Sequence, residues 1–378
     1  MKKVYWRPQK TPVFAFVLIA MLSVTGIFSA EYFKVERRMP YYPERVEASR
    51  LALLAMETVR TERIRRGIAI DEQDDPTGSG LIGAFTSPVT SDPGNLESKQ
   101  TSINPNYAAI VVDLLRRTKV KKGDPVAVSF SGSFPALNIS VIAALKVLDL
   151  KPTIITSASA SQWGANNPAF LWIDMEHMPY NEGLSPFRTT MASMGGRNDQ
   201  GEEMTPEGRR LVLDALKRND VPLLAARTRM ADIDERMAIY FKNAPPKVYI
   251  NVGGGVVSAG VRAFKLSVKP GLLMKDAMAN TSSDSVIRRF LQEDIPVIHL
   301  GNVRKLAKQY GLPIGPATMA PIGVGSLYYH RTYSLWLTGA FLVAIILALY
   351  IFSRSDRGFR LLQTTAHKED TGPPEPMI

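Results

Sequence analysis

The chain has no cysteine, which excludes disulfide bonds and thiolate metal sites outright. It has few histidines. Of the four, His330 borders an apolar run and His367 sits in a polar tail, leaving His177 and His299. A Ser–His–acid triad cannot be assembled from so few, and no metal or cofactor is expected. No segment repeats at a fixed period. Charge is absent from two stretches, Thr11–Ala30 and Thr332–Ser353. A helix rising about 1.5 Å per residue spans roughly 30 Å in 20 residues, the hydrocarbon thickness of a bilayer. Neither stretch carries Asp, Glu, Lys, Arg or His, which argues against a proton relay or ion path and leaves the role of anchors.

The flanks of these two runs predict an orientation. Lys2, Lys3, Arg7 and Lys10 precede the first run, and Arg354, Arg357 and Arg360 follow the second. Positive residues beside a span resist translocation, so both termini are expected in the cytoplasm and the intervening part outside. Lys34, Arg37 and Arg38 oppose that reading and are partly offset by Glu31 and Glu36. A cleaved signal peptide also begins with a basic stretch and an apolar core. Here the run is longer than a usual signal core, and Phe28-Ser29-Ala30 places a bulky ring where a small residue is expected, which favours retention. Tyr328, Tyr329, Tyr333, Trp336 and Tyr350 cluster near the ends of the second run, as interfacial aromatics do. The expected layout is a basic start (1–10), a span (11–30), a juxtamembrane helix and loop region (31–106), an extracytoplasmic α/β domain (107–331), a second span (332–353) and a disordered cytoplasmic tail (354–378).

The net charge is +11, and about +7 of it falls between the two runs. A net positive outer domain attracts anionic partners, whether lipid headgroups or a soluble polyanion, although an ordinary basic surface has the same composition. Pro43–Ile68 carries apolar residues at helical spacing and predicts a long helix; Asp71–Asn106 is rich in Gly, Pro, Ser, Thr and Asp and predicts an ordered loop or linker. From Tyr107 helices and strands alternate. Helices are expected over Tyr107–Lys119, Pro135–Leu148, Thr205–Asn219, Met230–Asn243, Ser283–Glu293 and Val303–Gln309. Strands are expected over Pro125–Phe130, Thr153–Thr156, Pro222–Ala226, Lys247–Val252 and Pro296–Leu300. This alternation predicts an α/β fold with a Rossmann-like, mostly parallel sheet and right-handed crossovers.

Ligands of open α/β sheets bind beyond the carboxyl ends of the strands, which selects three turns. After the first strand comes Ser131-Gly132-Ser133-Phe134-Pro135-Ala136-Leu137-Asn138. Its small residues let backbone N–H groups approach an anion at the start of the next helix, although Ser133 can equally be a plain cap. This turn is neither a G-x-S-x-G elbow nor a P-loop or dinucleotide fingerprint. The second turn holds Ser159, Ser161, Trp163 and Asn166, a hydroxyl-rich segment suited to amides, carboxylates or sugars, or else a surface loop with Trp163 folded inward. The third is Gly253-Gly254-Gly255, with Ser258 shortly after, which permits close approach of a ligand or a tight turn. Together these give the binding candidates Ser131, Gly132, Ser133, Asn138, Ser159, Ser161, Trp163, Asn166, Gly253, Gly254, Gly255 and Ser258. Candidate catalytic groups are Ser133 and the carboxylates Asp174 and Glu176. Read as a strand, Trp172–His177 places Asp174 and Glu176 on one face and His177 on the other, a poor metal site but an acid/base pair. His299, in an apolar strand, reads as a core histidine.

The strings Leu96-Glu97-Ser98-Lys99-Gln100-Thr101-Ser102-Ile103-Asn104-Pro105-Asn106 and Ser131–Asn138, with Ser161-Gln162-Trp163-Gly164-Ala165-Asn166 and Trp172-Ile173-Asp174-Met175-Glu176, resemble a bacterial family. It is the poly-γ-glutamate system proteins, membrane components encoded with the poly-γ-glutamate capsule synthesis apparatus. The resemblance runs from about Glu31 to Arg331 and includes both anchors. It implies a non-catalytic accessory beside the synthase and export components, binding or guiding the anionic polymer or bracing the synthase, with the membrane as a partner and no nucleic acid. It brings no catalytic residues with it. A hydrolase or transferase acting on the polymer or on cell-wall material is the alternative expectation.

Overall fold

A computed structural model describes residues 13–224, 226–260, 268–278 and 283–354. The basic start and the tail beyond 354 lie outside the described residues. The chain divides into two compact units, one made of its two ends and the other of Met39–Tyr328.

The unit formed by the ends holds the helices Val13–Tyr32 and Leu335–Arg354, with a two-stranded antiparallel ribbon of β1 (Val35–Arg38) and β10 (Tyr329–Thr332). Both helices are long and apolar enough to cross a membrane, with mean hydropathy 2.3 and 2.5. Their large apolar side chains point outward on all sides, Phe14, Ile27, Phe28, Trp336, Leu342 and Ile346 among them. A soluble helix hides one stripe; an all-round apolar surface fits a lipid environment. At Gly26 the two helices pack closely, since a Cβ there would lie 3.1 Å from the Phe341 ring. The second apolar helix starts later than the uncharged run does, because Tyr329–Thr332 is a strand pairing Arg331 with Glu36 in register.

The larger unit is built on a six-stranded sheet. Its strands are β2 (Pro125–Ser131), β3 (Lys151–Ser157), β6 (Met191–Ser193), β7 (Val248–Val252), β8 (Gly271–Leu273) and β9 (Val297–Leu300). The remaining strands, β4 (Asn166–Asn167) and β5 (Phe170–Leu171), form a separate small hairpin. The order across the sheet is β6-β3-β2-β7-β9-β8, with all neighbours parallel except β8, which runs antiparallel at the edge. The chain leaves β2 toward β3 and β6 on one side, then returns to β7 and β9 on the other. Between β2 and β7 the direction of winding reverses, which opens a crevice at their carboxyl ends.

β2 and β7 read as nearly continuous buried apolar runs, as strands covered on both faces must. Ala127, Ile155, Tyr249 and Val297 pack against helices Arg229–Phe241 and Val286–Gln292, where the Tyr249 and Phe290 rings stack at 4.5 Å. Alternation turns Val126, Val128 and Phe130 to the opposite face. There the helix Pro135–Val147 follows β2 and packs with helices Tyr107–Arg117 and Tyr42–Arg65. Each fully buried Val, Leu or Ile contributes roughly 1.5–3 kcal/mol, so these two layers dominate stability. Arg45, itself buried, joins the layer by ion pairing with Asp113 at 2.5 Å and donating to the Leu327 carbonyl. The Asp71–Asn106 segment is largely irregular but ordered: Arg63 donates to the carbonyls of Ala69, Gly80 and Ile82, and a short helix, Leu96–Ser102, forms inside it with Asn95 as its cap.

Two expectations need correction. The strand expected over Pro222–Ala226, which includes the undescribed residue 225, reduces to one bridge between Leu223 and Ala192. Trp172–His177 is not a strand but two short helical turns, Trp172–Met175 and His177–Asn181. Asp174 caps the first turn through the Leu171 N–H and is saturated by Arg218 and Asn219, at 2.7 Å each to Oδ1. Glu176 accepts from the N–H and hydroxyl of Thr189 at 3.0 and 2.9 Å. An apolar Trp-Ile-x-Met pattern fits a buried turn as well as it fits a strand, and the carboxylate capping Leu171 selects the turn.

Burial pushes the Glu176 carboxyl up to about 7 from its ordinary 4.5, against the two Thr189 hydrogen bonds that favour the anion. The folded chain therefore keeps this proton while the unfolded chain loses it. The stabilisation is complete below about pH 4.5 and is lost as pH rises through 7. Glu176→Gln, measured by thermal unfolding of the full chain in detergent, is expected to stabilise by about 2–3 kcal/mol at pH 8 and by nothing at pH 4. An unchanged pH dependence would show that this carboxyl is not desolvated.

Candidate functional site

The crevice at the carboxyl ends of β2, β3 and β7 is a cleft of about 400 Å³. Six serines line it: Ser91, Ser131, Ser133, Ser157, Ser159 and Ser161. Gly254, Gly255 and Val256 close it from the β7 side, and Asp92, Arg197, Asp199 and Glu203 reach it from two loops. Thus the three turns selected from sequence do converge, and Ser131, Ser133, Ser159, Ser161, Gly254 and Gly255 are its walls.

The other binding candidates brace those walls. A Cβ on Gly132 would come within 2.7 Å of the Ser159 carbonyl, so the first two turns touch only because position 132 is bare. Gly253 adopts φ 89° against the Ser131 side chain. Asn138, fully buried, donates to the Ser131 carbonyl at 2.9 Å, and Ser258 shares a hydrogen bond with Ser129 at 2.9 Å. Asn166 ties the second turn to Ala84 and Thr90. Trp163, half-buried on a left-handed backbone (φ 58°), packs on exposed Phe85 and donates its indole N–H to Asp74 at 2.9 Å. Asp174 and Glu176 do not line the cleft; both serve the structural roles described above. His299 is buried in β9 and lies 3.0 Å from the Asn251 amide.

The site also contains groups with no sequence signal. Foremost is Lys99, on the short helix inside the segment read as a linker. It is only 3% exposed. Its Nζ donates to the Ser161 Oγ at 2.8 Å and to the Ser133 carbonyl at 2.5 Å, and it sits 4.1 Å from the centre of the Phe134 ring. Burial lowers its pKa from 10.5 to about 7. Lysines are almost never fully buried without a partner charge, so residue type pointed to the surface.

Behind the floor of the cleft lies a second buried cation. Arg236 is fully enclosed and donates to Asp199 at 2.5 Å, Asp232 at 2.6 Å and Ser193 at 2.9 Å. Burial opposes its charge, but the Asp199 and Asp232 carboxylates overcome that and push its pKa up. Asp199 in turn accepts from the Ser157 hydroxyl at 3.0 Å. Asp199 reaches this position from a loop in which Gly195, Gly196, Asn198, Asp199 and Gly201 all have positive φ. At the rim, Arg197 pairs with Glu203 at 3.1 Å. Among the lining charges Asp92, Asp199 and Glu203 outnumber Arg197, and the cleft offers hydroxyl donors and acceptors, with the Lys99 amine, half neutral near pH 7, behind Ser133 and Ser161. Among the described residues no group of three His, Asp or Glu side chains is placed to hold a metal ion.

Comparison with known proteins adds little. No protein-family model matches the chain, and no curated protein matches it. Among solved structures, an archaeal alanine:glyoxylate aminotransferase aligns over 82% of this chain and 70% of its own at 10% identity. The TM-score is 0.18, too low to carry an argument about fold or activity.

Lys99 is held at a thermodynamic disadvantage. Below about pH 7 both folded and unfolded chains are protonated there, and the full penalty of burying the ammonium applies. Between 7 and 10.5 the folded amine is neutral while the unfolded one stays charged, so stability rises with pH. Lys99→Met is expected to raise Tm at pH 6, with a gain that fades toward pH 10. Equal or lower Tm at pH 6 would show that the ammonium is well solvated.

Proposed function

We propose that this chain is a membrane-anchored accessory of poly-γ-glutamate synthesis or export, with both termini cytoplasmic and the α/β unit outside. In this reading the two apolar helices cross the membrane and the unit is a Rossmann-like domain. The strand order β6-β3-β2-β7-β9, with its reversal beside β2, supports that fold. The unit binds or guides the anionic polymer, or braces the synthase that makes it.

One observation carries the polymer contact. At the amino ends of the strands, opposite the cleft, Arg117, Lys119, Lys121 and Lys247 border a hollow of about 630 Å³ with a single acidic lining residue, Asp124. Exposed Lys122 and Lys151 lie in the same turns, Lys122 paired with Asp149. A polymer with a carboxylate on every residue meets such a rim multivalently. Attraction of this kind is screened by salt, with a Debye length of about 10 Å at 0.1 M and about 3 Å at 1 M. The cleft is a poorer polyanion site, because its own carboxylates outnumber its cations.

A second reading, a hydrolase or transferase acting on the polymer or on cell-wall material, is favoured by the contact between Lys99 and Ser161.

Two measurements test the first reading. The full chain in detergent is expected to bind poly-γ-glutamate at low salt and release it at 1 M. The triple substitution Lys119→Glu, Lys121→Glu, Lys247→Glu is expected to weaken binding at least tenfold; binding equal to wild type would remove the rim as the contact, and no binding at low salt would remove the polymer role. A tag inserted near Gly201 is expected to be cleaved by protease added to intact spheroplasts; protection until lysis would invert the orientation.

A further inference from the structure

We propose that Lys99 and Ser161 form a catalytic dyad for acyl transfer, with Ser161 as nucleophile and Lys99 as its general base, acting on a neutral amide or ester in the cleft. It develops the second reading above and does not depend on the polymer contact.

The geometry meets the first requirement of such a pair. The Ser161 Oγ lies 2.8 Å from the Lys99 Nζ, within the reach of proton transfer. Both parts are held in place. The Ser161 N–H donates to the Ser133 Oγ at 3.0 Å, and Gly164, at the end of the same turn, leaves only 2.8 Å between an added Cβ and the Ser133 Cα. Lys99 is anchored by the Ser133 carbonyl and the face of Phe134.

A structural role explains this lysine badly. Among the described residues it joins no carboxylate, and it satisfies only one carbonyl and one hydroxyl. An apolar side chain of similar length would pack there without the desolvation penalty. Strongly perturbed groups in clefts mark sites where chemistry requires them. Burial alone holds Lys99 near neutrality, as a base at physiological pH must be.

A second, independent observation points the same way. Ser159 is 2% exposed and lines the same cleft, and its Oγ has no hydrogen-bond partner among the described residues. A buried hydroxyl without a partner costs about 1–3 kcal/mol. A ligand oxygen that reached it beside Gly195 would satisfy it, and the developing oxyanion of an acyl transfer is such an oxygen.

The step balances. The neutral Lys99 amine takes the Ser161 hydroxyl proton as Oγ bonds to the substrate carbonyl carbon. The tetrahedral adduct collapses, the bond to the leaving amine or alcohol breaks, and the Lys99 ammonium returns the proton to it. Water, deprotonated by the same amine, then attacks the acyl-serine, and its proton passes to the released Ser161 oxygen; an acceptor amine in place of water would make a transferase. The excess of carboxylates lining the cleft selects an uncharged carbonyl segment over a polyanion.

The test uses the full chain in detergent with p-nitrophenyl acetate, a small neutral acyl donor. Peptide mass spectrometry locates the acetyl group and p-nitrophenolate release gives the rate. Acetylation is expected on Ser161, at a rate that climbs with pH through an inflection near 7. Ser161→Ala and Lys99→Met are each expected to lose about 100-fold or more, the usual worth of a general base. Lys99→Arg, which cannot deprotonate, should fail equally, whereas Glu176→Gln, remote from the cleft, keeps the full rate. Thermal unfolding confirms that each variant is folded. No acetylation of Ser161 at any pH from about 6 to 10, acetylation confined to Lys99, or a rate indifferent to Lys99→Met would each overturn the dyad. None of these results touches polymer binding at the basic rim.

Discussion

Strand β2 governs the larger unit. The chain leaves it in one direction and later returns to its other side, so no single crossover helix can cover both flanks of its carboxyl end. Whatever follows β2, β3 and β7 must meet above that gap, and three turns do. They approach so closely that Gly132 and Gly164 leave no room for a Cβ. The same close approach presses the Ser161 turn onto Ser133 and leaves Lys99 the one narrow space beside Phe134. The chemistry of the cleft is thus a consequence of where the sheet reverses.

Buried charge follows two different rules in this unit. Asp174, Arg45 and Arg236 are each matched by an opposite charge and by further hydrogen bonds, so removing one partner would strand the other. They fix elements in place: Asp174 the helix Pro206–Arg218, Arg45 the helix Tyr107–Arg117, Arg236 the loop that carries Asp199. Lys99 and Glu176 are buried without a matching ion pair, and both are driven toward their neutral forms. Glu176 is sealed away from the cleft, whereas Lys99 touches a wall serine. The same desolvation is therefore a simple penalty at one position and, under the proposed dyad, a source of reactivity at the other.

The helices and long strands were legible because their apolar residues recur at helical spacing or run unbroken through a doubly covered sheet. The expected helix Pro135–Leu148 and strand Pro125–Phe130 each differ from the structure by a single residue. Strands β6 and β8 were not, since three residues carry no usable period. Trp172–Met175 misled because four apolar-rich residues fit either geometry until the Asp174 cap decides between them. Ser131, Ser133, Ser159, Ser161, Gly254 and Gly255 could be named from the rule for strand ends alone, whereas Ser91, Asp92, Arg197, Asp199 and Glu203 come from loops that the rule does not select. Lys99 could not: it sits in a Gly- and Pro-rich stretch without periodicity, and only three-dimensional packing brings that stretch against the turn after β3.

The two poles of the sheet then divide the labour physically. The amino ends gather Arg117, Lys119, Lys121 and Lys247, where strands begin and helices end, and cations there also complement the negative end of the helix Tyr107–Arg117. The carboxyl ends gather hydroxyls, a desolvated amine and an excess of carboxylates. A long-range field suits an extended anion, while a recessed cleft beside a buried amine suits a single bond to be broken, because each favours the opposite dielectric surroundings. Placing both in one pocket would weaken each: a polyanion inside the cleft would draw Lys99 back to its charged form and silence it as a base. Under the two proposals above, separation of the rim from the cleft would let one unit hold an acidic chain without disabling the amine beside Ser161.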